Sequence, residues 1–142
     1  MAVRTARAQW DGSLQEGKGT MALGSGAFEG QYSFASRFEE GMGTNPEELI
    51  AAAHAGCFSM ALAGALGRGG FKPDSVKTEA RVQLLKGDAG FSITRIDLDT
   101  EARVPGIDEA KFQEIAEGAK TGCPVSKALA GTQIALTARL AR

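Results

Sequence analysis

The segment from Leu49 to Leu66 is eighteen residues without a charged side chain, and it constrains the fold more than any other part of the sequence. A helix start precedes it, because Asn45 is a good N-cap, Pro46 suits the first helical turn and two glutamates follow. We expect the helix to end near Arg68, before a Gly-Gly pair. Since it is apolar all round and rich in small residues, it must be covered on most sides. A chain of 142 residues has few other elements to do this, and a second subunit could.

Composition and charge exclude several classes of protein. Sixteen basic and seventeen acidic residues give a formal net charge of −1 without long runs of like charge, which argues against nucleic-acid or membrane partners. The uncharged helix reaches the lower length limit of a membrane span, but its alanine, glycine and serine residues and His54 contribute little to insertion. We therefore expect a buried helix of a soluble protein. Arg4 and Arg7 are not followed by an apolar run, so we expect no signal peptide and a cytoplasmic location.

The remaining sequence contains no repeat and no linker, which predicts a single α+β domain over residues 1–142. Asp108 is the expected cap of a second helix that ends at Gly122, and Cys123-Pro124 begins a short helix reaching about Leu129. The order βββ-α-ββ-αα-β favours a mostly antiparallel sheet. Strands are predicted at Arg4–Trp10, Lys18–Leu23, Gln31–Phe38, Val76–Leu84, Phe91–Val104 and Thr132–Leu140.

Two of these strands have patterns that predict further detail. In the third strand, Tyr32, Phe34 and Phe38 share one face, so Arg37 is expected on the opposite face. In the strand that begins at Phe91, the apolar positions change phase before Ile96, which predicts a bulge or bend there.

The chain has two cysteines, and their settings differ. In a reducing compartment such a pair is more often catalytic, redox-sensing or metal-binding than structural, although two unconnected buried thiols are the plain alternative. Cys57 lies within the apolar helix, where burial favours the neutral thiol. Cys123 stands at the N-cap of a helix, where free backbone N–H groups and the helix dipole favour the thiolate. Local physical chemistry therefore makes Cys123 the more acidic thiol.

For Cys57 to act as a nucleophile, a positive group must offset its burial. Arg37 is a candidate because its segment leads into the helix, although an exposed strand charge is the simpler interpretation. Glu47 and Glu48 have an equally simple interpretation as first-turn residues. His54 lies three residues before Cys57, so a Cys–His hydrolase or acyl transferase is a second hypothesis, beside a packed or interface histidine. The spacing typical of metal sites is absent.

The two cysteine motifs resemble those of the OsmC/Ohr family of organic hydroperoxide reductases, and the OsmC branch most closely. Cys57 lies in Asn-Pro-Glu-Glu-Leu-Ile-Ala-Ala-Ala-His-Ala-Gly-Cys-Phe-Ser-Met, and Cys123 lies in Gly-Cys-Pro-Val-Ser. The resemblance extends over most of the chain. It also includes Ala8-Gln9-Trp10-Asp11-Gly12, Gly17-Lys18-Gly19-Thr20, Arg37-Phe38-Glu39 and Val104-Pro105-Gly106-Ile107-Asp108.

The resemblance implies an intertwined homodimer that acts as a thiol peroxidase, with no cofactor and no metal. It implies that Cys57 attacks the peroxide, that Cys123 resolves the sulfenic acid into a disulfide, and that Arg37, held by Glu47, activates the first thiol. The neighbouring Glu48 is the alternative to Glu47. The implied substrate is an organic hydroperoxide and the implied reductant is a dithiol of the dihydrolipoyl type. A non-catalytic dimer that binds a hydrophobic ligand is the third hypothesis.

Overall fold

The computed structural model describes all 142 residues of the chain. They form two compact units, Met1–Leu49 and Ile50–Arg142. The α+β class and the long helix are confirmed, with one short helix more than predicted, and the single-domain organisation stays a prediction. The elements are β1 (Ala6–Asp11), β2 (Lys18–Leu23), β3 (Glu29–Tyr32), α1 (Phe34–Phe38), α2 (Pro46–Arg68), β4 (Ser75–Gly87), β5 (Gly90–Arg103), α3 (Glu109–Gly122), α4 (Pro124–Ala128) and β6 (Gln133–Leu140).

In the first unit, β1, β2 and β3 form an antiparallel sheet in chain order. The predicted strand over Gln31–Phe38 is wrong, because the strand ends at Tyr32 and helix α1 follows. Ser33 caps this helix through a capping box with Ser36. Phe34 and Phe38 are four residues apart, and their ring centroids lie 4.9 Å from each other. A pattern read as alternation in a strand is therefore an i, i+4 pair on one helix face.

Hydrogen bonds join α1 to the beginning of α2. The Ser36 hydroxyl donates to the carbonyl of Thr44 at 2.7 Å, and the Asn45 side-chain amide donates to the carbonyl of Ser36 at 3.1 Å. The Asn45 side chain also accepts from the backbone N–H of Glu48 at 2.8 Å, so Asn45 caps α2 as predicted. These contacts determine where the side chains of α1 lie relative to the first turn of α2.

The second unit contains a sheet in the order β4-β5-β6. Strands β4 and β5 pair antiparallel, whereas β6 pairs parallel to β5. The predicted irregularity is confirmed, because Gln83 pairs with Arg95 and the next residue, Leu84, pairs with Ile93. The core combines residues of α2, β5 and α3 among others, and its fully buried large side chains include Phe58, Leu62, Leu66, Ile96, Leu98 and Phe112.

Helix α2 is buried along one stripe and exposed along another. His54, Phe58, Leu62 and Leu66 recur every four residues and are fully buried. The exposed positions include Ala52, Ala53, Gly56, Met60 and Gly64. Met60 is 79% exposed, which is unusual for a large apolar side chain in the middle of a helix. By length and composition alone, α2 meets the criteria for a membrane-spanning helix, as the sequence also indicated.

Candidate active site

Arg37 and Glu47 form an ion pair between α1 and the first turn of α2. The Arg37 Nε donates to Oε1 and its Nη2 donates to Oε2 of Glu47, both at 3.0 Å. This two-point contact orients the planar guanidinium more firmly than one bond would. The Glu47 side chain is 10% exposed and that of Arg37 is 36% exposed, so part of the cation remains accessible. Glu48, the alternative partner, has no bond to Arg37 and is exposed.

The accessible side of Arg37 opens onto an aromatic cavity of about 350 Å³. Trp10, Tyr32, Phe34 and Phe38 contribute to its wall, and Arg37 is the only charged residue that lines it. The guanidinium carbon lies 5.2 Å from the ring centre of Phe38, a cation–π contact. A molecule with an apolar body and one polar group would fit such a cavity.

Cys57 and Cys123 lie against each other in the second unit. Their sulfurs are 2.8 Å apart and share a hydrogen bond, although the residues are 66 positions apart in the chain. Both are free thiols, with Cys57 half-buried and Cys123 buried. Cys57 comes from the middle of α2 and Cys123 from the N-cap of α4. The sulfurs are close enough for a disulfide to form with a small movement.

The surroundings affect the pKa of each thiol in opposite directions. Burial raises the pKa of Cys57, the Cys123 sulfur raises it further, and the Val125 backbone N–H opposes them. Burial also acts to raise the pKa of Cys123, but hydrogen bonds from Cys57 and from the side chain and backbone of Ser126 outweigh it, so that pKa is lowered. Cys123 has no side-chain capping bond of standard geometry, yet the N-terminal N–H groups of α4 still favour its thiolate. Within this chain, the surroundings therefore favour the thiolate of Cys123 over that of Cys57.

His54 does not pair with Cys57. Its Nε2 lies 2.7 Å from the Ser126 hydroxyl, and no hydrogen bond joins it to either cysteine. The His54 side chain is fully buried, and burial lowers its pKa. The dyad needed for a Cys–His hydrolase is therefore not formed.

Comparison with known proteins assigns the chain to a family. A family model described as OsmC-like protein matches residues 39–138, a span that contains Glu47 and both cysteines and begins just after Arg37. The chain is 54% identical to the peroxiredoxin OsmC of Escherichia coli over 127 residues, which cover 89% of each protein. This chain belongs to the OsmC family.

Two further relatives extend this assignment. The organic hydroperoxide resistance protein of Xanthomonas axonopodis is 35% identical over 92 residues, which cover 64% of this chain and 63% of that protein. The crystal structure of the organic hydroperoxide resistance protein OhrB of Bacillus subtilis superposes with a TM-score of 0.71 at 28% identity, covering 96% of this chain and 98% of that one. The OsmC-family fold thus extends over nearly the entire chain.

The sequence did not reveal every feature of this OsmC-family site. Ser126 had no assigned role in the sequence analysis. Its place three residues after the N-cap Cys123 is nevertheless a signal, because a side chain at this helix position often reaches back to the N-cap residue. The aromatic wall contributed by Trp10 was also missed, because it joins residues from separate elements. No group of three or more His, Cys, Asp or Glu residues in the chain is placed to hold a metal ion.

Proposed function

We propose that this chain is a thiol peroxidase that reduces organic hydroperoxides to alcohols, with Cys57 as the attacking and Cys123 as the resolving thiol. The observation that carries the proposal is the 2.8 Å separation of the two sulfurs. A sulfenic acid formed on either cysteine would have the other thiol within reach, and no large rearrangement of the backbone would be needed.

The reaction needs two steps. The Cys57 thiolate attacks the distal peroxide oxygen, the O–O bond breaks, and the alkoxide takes a proton to leave as the alcohol. Cys123 then attacks the Cys57 sulfur, and the S–O bond breaks with loss of hydroxide, which is protonated to water. A dithiol reductant, of the dihydrolipoyl type in our proposal, returns the disulfide to two thiols. We propose the cytoplasm as the location, since its reducing conditions keep both thiols available.

Arg37 is the cation that we assign to stabilise the Cys57 thiolate and the leaving oxygen. Nothing positive contributes to the pKa of Cys57 within its own unit. Glu47 holds Arg37, and Cys57 follows Glu47 by ten positions along α2, a rise of about 15 Å. We therefore propose that the Arg37–Glu47 pair of one subunit completes the site at Cys57 of a partner subunit.

The exposed stripe of α2 supports a homodimer. It combines small residues with the exposed Met60, and a contiguous apolar surface of this kind is typical of a protein interface. Sedimentation at low micromolar concentration should show a dimer. Met60→Lys should weaken it, whereas Met42→Lys, a control at a loop residue that is 97% exposed, should not. A stable monomeric wild-type protein would exclude a shared site.

The aromatic cavity beside Arg37 supports an apolar hydroperoxide as substrate. An alkyl or aryl group could occupy the cavity while the peroxide faces the guanidinium. We expect kcat/KM for an aryl hydroperoxide to exceed that for hydrogen peroxide. Equal or higher values for hydrogen peroxide would contradict this specificity.

A count of free thiols tests the function most directly. One equivalent of an alkyl hydroperoxide should rapidly convert two free thiols per chain to none, with release of one equivalent of alcohol. An unchanged thiol count would exclude the peroxidase, and ester turnover by the same protein would favour a hydrolase instead.

A further inference from the structure

His54 is a fully buried polar side chain that the proposed reaction does not use. Its one hydrogen bond joins Nε2 to the Ser126 hydroxyl, 72 residues away in the chain, at 2.7 Å. Its other ring nitrogen, Nδ1, is buried without a partner. An unpaired polar atom in the core lowers the stability of the fold. The burial of His54 despite this cost therefore calls for a functional explanation.

The tautomer of His54 sets the direction of its hydrogen bond to Ser126. Burial lowers the pKa of His54, so the ring is neutral near pH 7 and carries one N–H group. A proton on Nδ1 would leave a buried donor with no acceptor, whereas a proton on Nε2 has the Ser126 oxygen as its acceptor. In the tautomer with the proton on Nε2, this N–H group donates to Ser126, and the Ser126 hydroxyl hydrogen is available for another acceptor.

A candidate for that acceptor is the Cys123 sulfur, at the N-cap of the helix that contains Ser126. Ser126 is the third residue of α4 and Cys123 is its N-cap, so both lie at the same end of this short helix. Ser126 is 5% exposed and Cys123 is fully buried, so bulk water competes little for either side chain. The side chain and the backbone N–H of Ser126 both favour the Cys123 thiolate.

We propose that His54 and Ser126 are positioning residues for the resolving step, forming a hydrogen-bond relay that holds Cys123 as a thiolate after Cys57 has been oxidised. The inference rests on the peroxidase function proposed above. It explains why Cys123 has a second source of hydrogen bonds. The Cys57 thiol also favours the Cys123 thiolate, but this contribution is lost once Cys57 becomes a sulfenic acid.

The relay fits the balance of the reaction. In the proposed dimer, Arg37 faces Cys57 and stabilises its thiolate, so Cys57 carries the negative charge and Cys123 holds the shared proton. When the Cys57 thiolate cleaves the O–O bond, the alkoxide can take this proton from Cys123 and leave as the alcohol. The Cys123 thiolate, now hydrogen-bonded to the Ser126 hydroxyl, attacks the Cys57 sulfur and displaces hydroxide. The hydroxide leaves to the solvent, where the buffer neutralises it. No additional oxidant or reductant is needed.

The test separates the resolving step from the attack on peroxide. In single-turnover experiments, we expect Ser126→Ala to oxidise Cys57 at the wild-type rate but to form the disulfide roughly tenfold to hundredfold more slowly. That is the effect of losing one hydrogen bond to a charged group. Dimedone should accordingly trap more Cys57 sulfenic acid than in the wild type. In a Cys57→Ser background, thiolate absorbance should show that Ser126→Ala moves the titration of Cys123 to higher pH.

Matched variants distinguish the relay from a merely structural role. Ser126→Thr and His54→Gln retain a donor at each position and should restore most of the resolving rate, whereas His54→Leu should not. Ser59→Ala is the control, because it removes a different half-buried hydroxyl of α2 that bonds to Thr78 at 2.8 Å, and it should leave the resolving rate unchanged. If His54→Leu does not fold, Ser126→Ala alone still provides the test.

Two results would overturn the relay: a wild-type resolving rate in Ser126→Ala, or an unchanged titration of Cys123 in the Cys57→Ser background. A failure of the proposed function is distinguishable from both. If the wild-type protein forms no Cys57 sulfenic acid, the peroxidase assignment fails, while the titration of Cys123 still reports whether Ser126 stabilises its thiolate.

Discussion

Arg37 and Glu47 form an ion pair that opens onto an aromatic cavity, whereas Cys57 and Cys123 form a sulfur pair with no charged side chain among the influences on its pKa values. The first cluster has a positive charge but no nucleophile. The second has two nucleophiles, but its surroundings favour the negative charge on Cys123. Each cluster therefore lacks what the other holds, and we infer that assembly of two subunits brings them together.

The largest expected effect comes from replacing each cysteine in turn with serine. Cys57→Ser should abolish peroxide reduction, since a serine hydroxyl forms no comparable anion at neutral pH. Cys123→Ser should still consume about one equivalent in a single turnover and then stall as a sulfenic acid. Mass spectrometry after one equivalent of peroxide checks both. An oxygen adduct on Cys123 in the first variant, with Cys57 unmodified in the second, would reverse the roles.

Removing the positive charge should produce the next largest effect. We expect Arg37→Ala to slow Cys57 oxidation by about 10²–10³-fold. Removing one well-placed group that stabilises a developing negative charge lowers the rate by about this factor in other enzymes. Thermal unfolding should change little, since the side chain is partly exposed. Arg81→Ala is the control, because Arg81 also pairs with a glutamate, Glu79, but lies on β4 and is 55% exposed. Equal rates in both variants would place the activating cation elsewhere.

A smaller effect should separate the two adjacent glutamates. Glu47→Gln keeps the shape of the side chain but weakens the charge-assisted contact with Arg37, and we expect peroxide reduction to slow roughly tenfold. Glu48→Gln should leave the rate within experimental error. Stopped-flow measurement of Cys57 oxidation compares them, and the opposite ranking would assign the orienting role to Glu48.

The smallest effect concerns how the two thiols share one proton. Cys57 lowers the pKa of Cys123 by donating a hydrogen bond to its thiolate. Cys57→Ala removes this donor, so the Cys123 pKa should rise and its thiolate should form only at higher pH. Cys57→Ser retains a hydroxyl donor and should have a titration midpoint below that of Cys57→Ala. Ultraviolet absorbance of the thiolate measures this, and coincident curves would show that Ser126 and Val125 alone determine the Cys123 pKa.

The sequence predictions were most accurate where the structural signal acts over only a few residues. The boundaries of α2 and α3 were predicted to within a residue, because Asn45, Asp108 and the glycines that end each helix act through backbone groups a few residues away. Helix α1 was missed because Phe34 and Phe38 fit both a strand face and a helix face. The Ser33–Ser36 capping box decided between them, and serine is common in loops as well.

The sequence by itself singled out the residues that we propose carry this function: two thiols, one arginine and the glutamate that starts the long helix. It also placed Cys123 at the start of a helix, where the free N–H groups favour its thiolate. Only the tertiary structure decided that the thiols are 2.8 Å apart, that His54 bonds to Ser126 and not to Cys57, and that Arg37 faces an aromatic cavity. The physical reason is distance along the chain. A cap acts over three or four residues, whereas a contact across 66 or 72 residues depends on how helices and sheet pack around a common core.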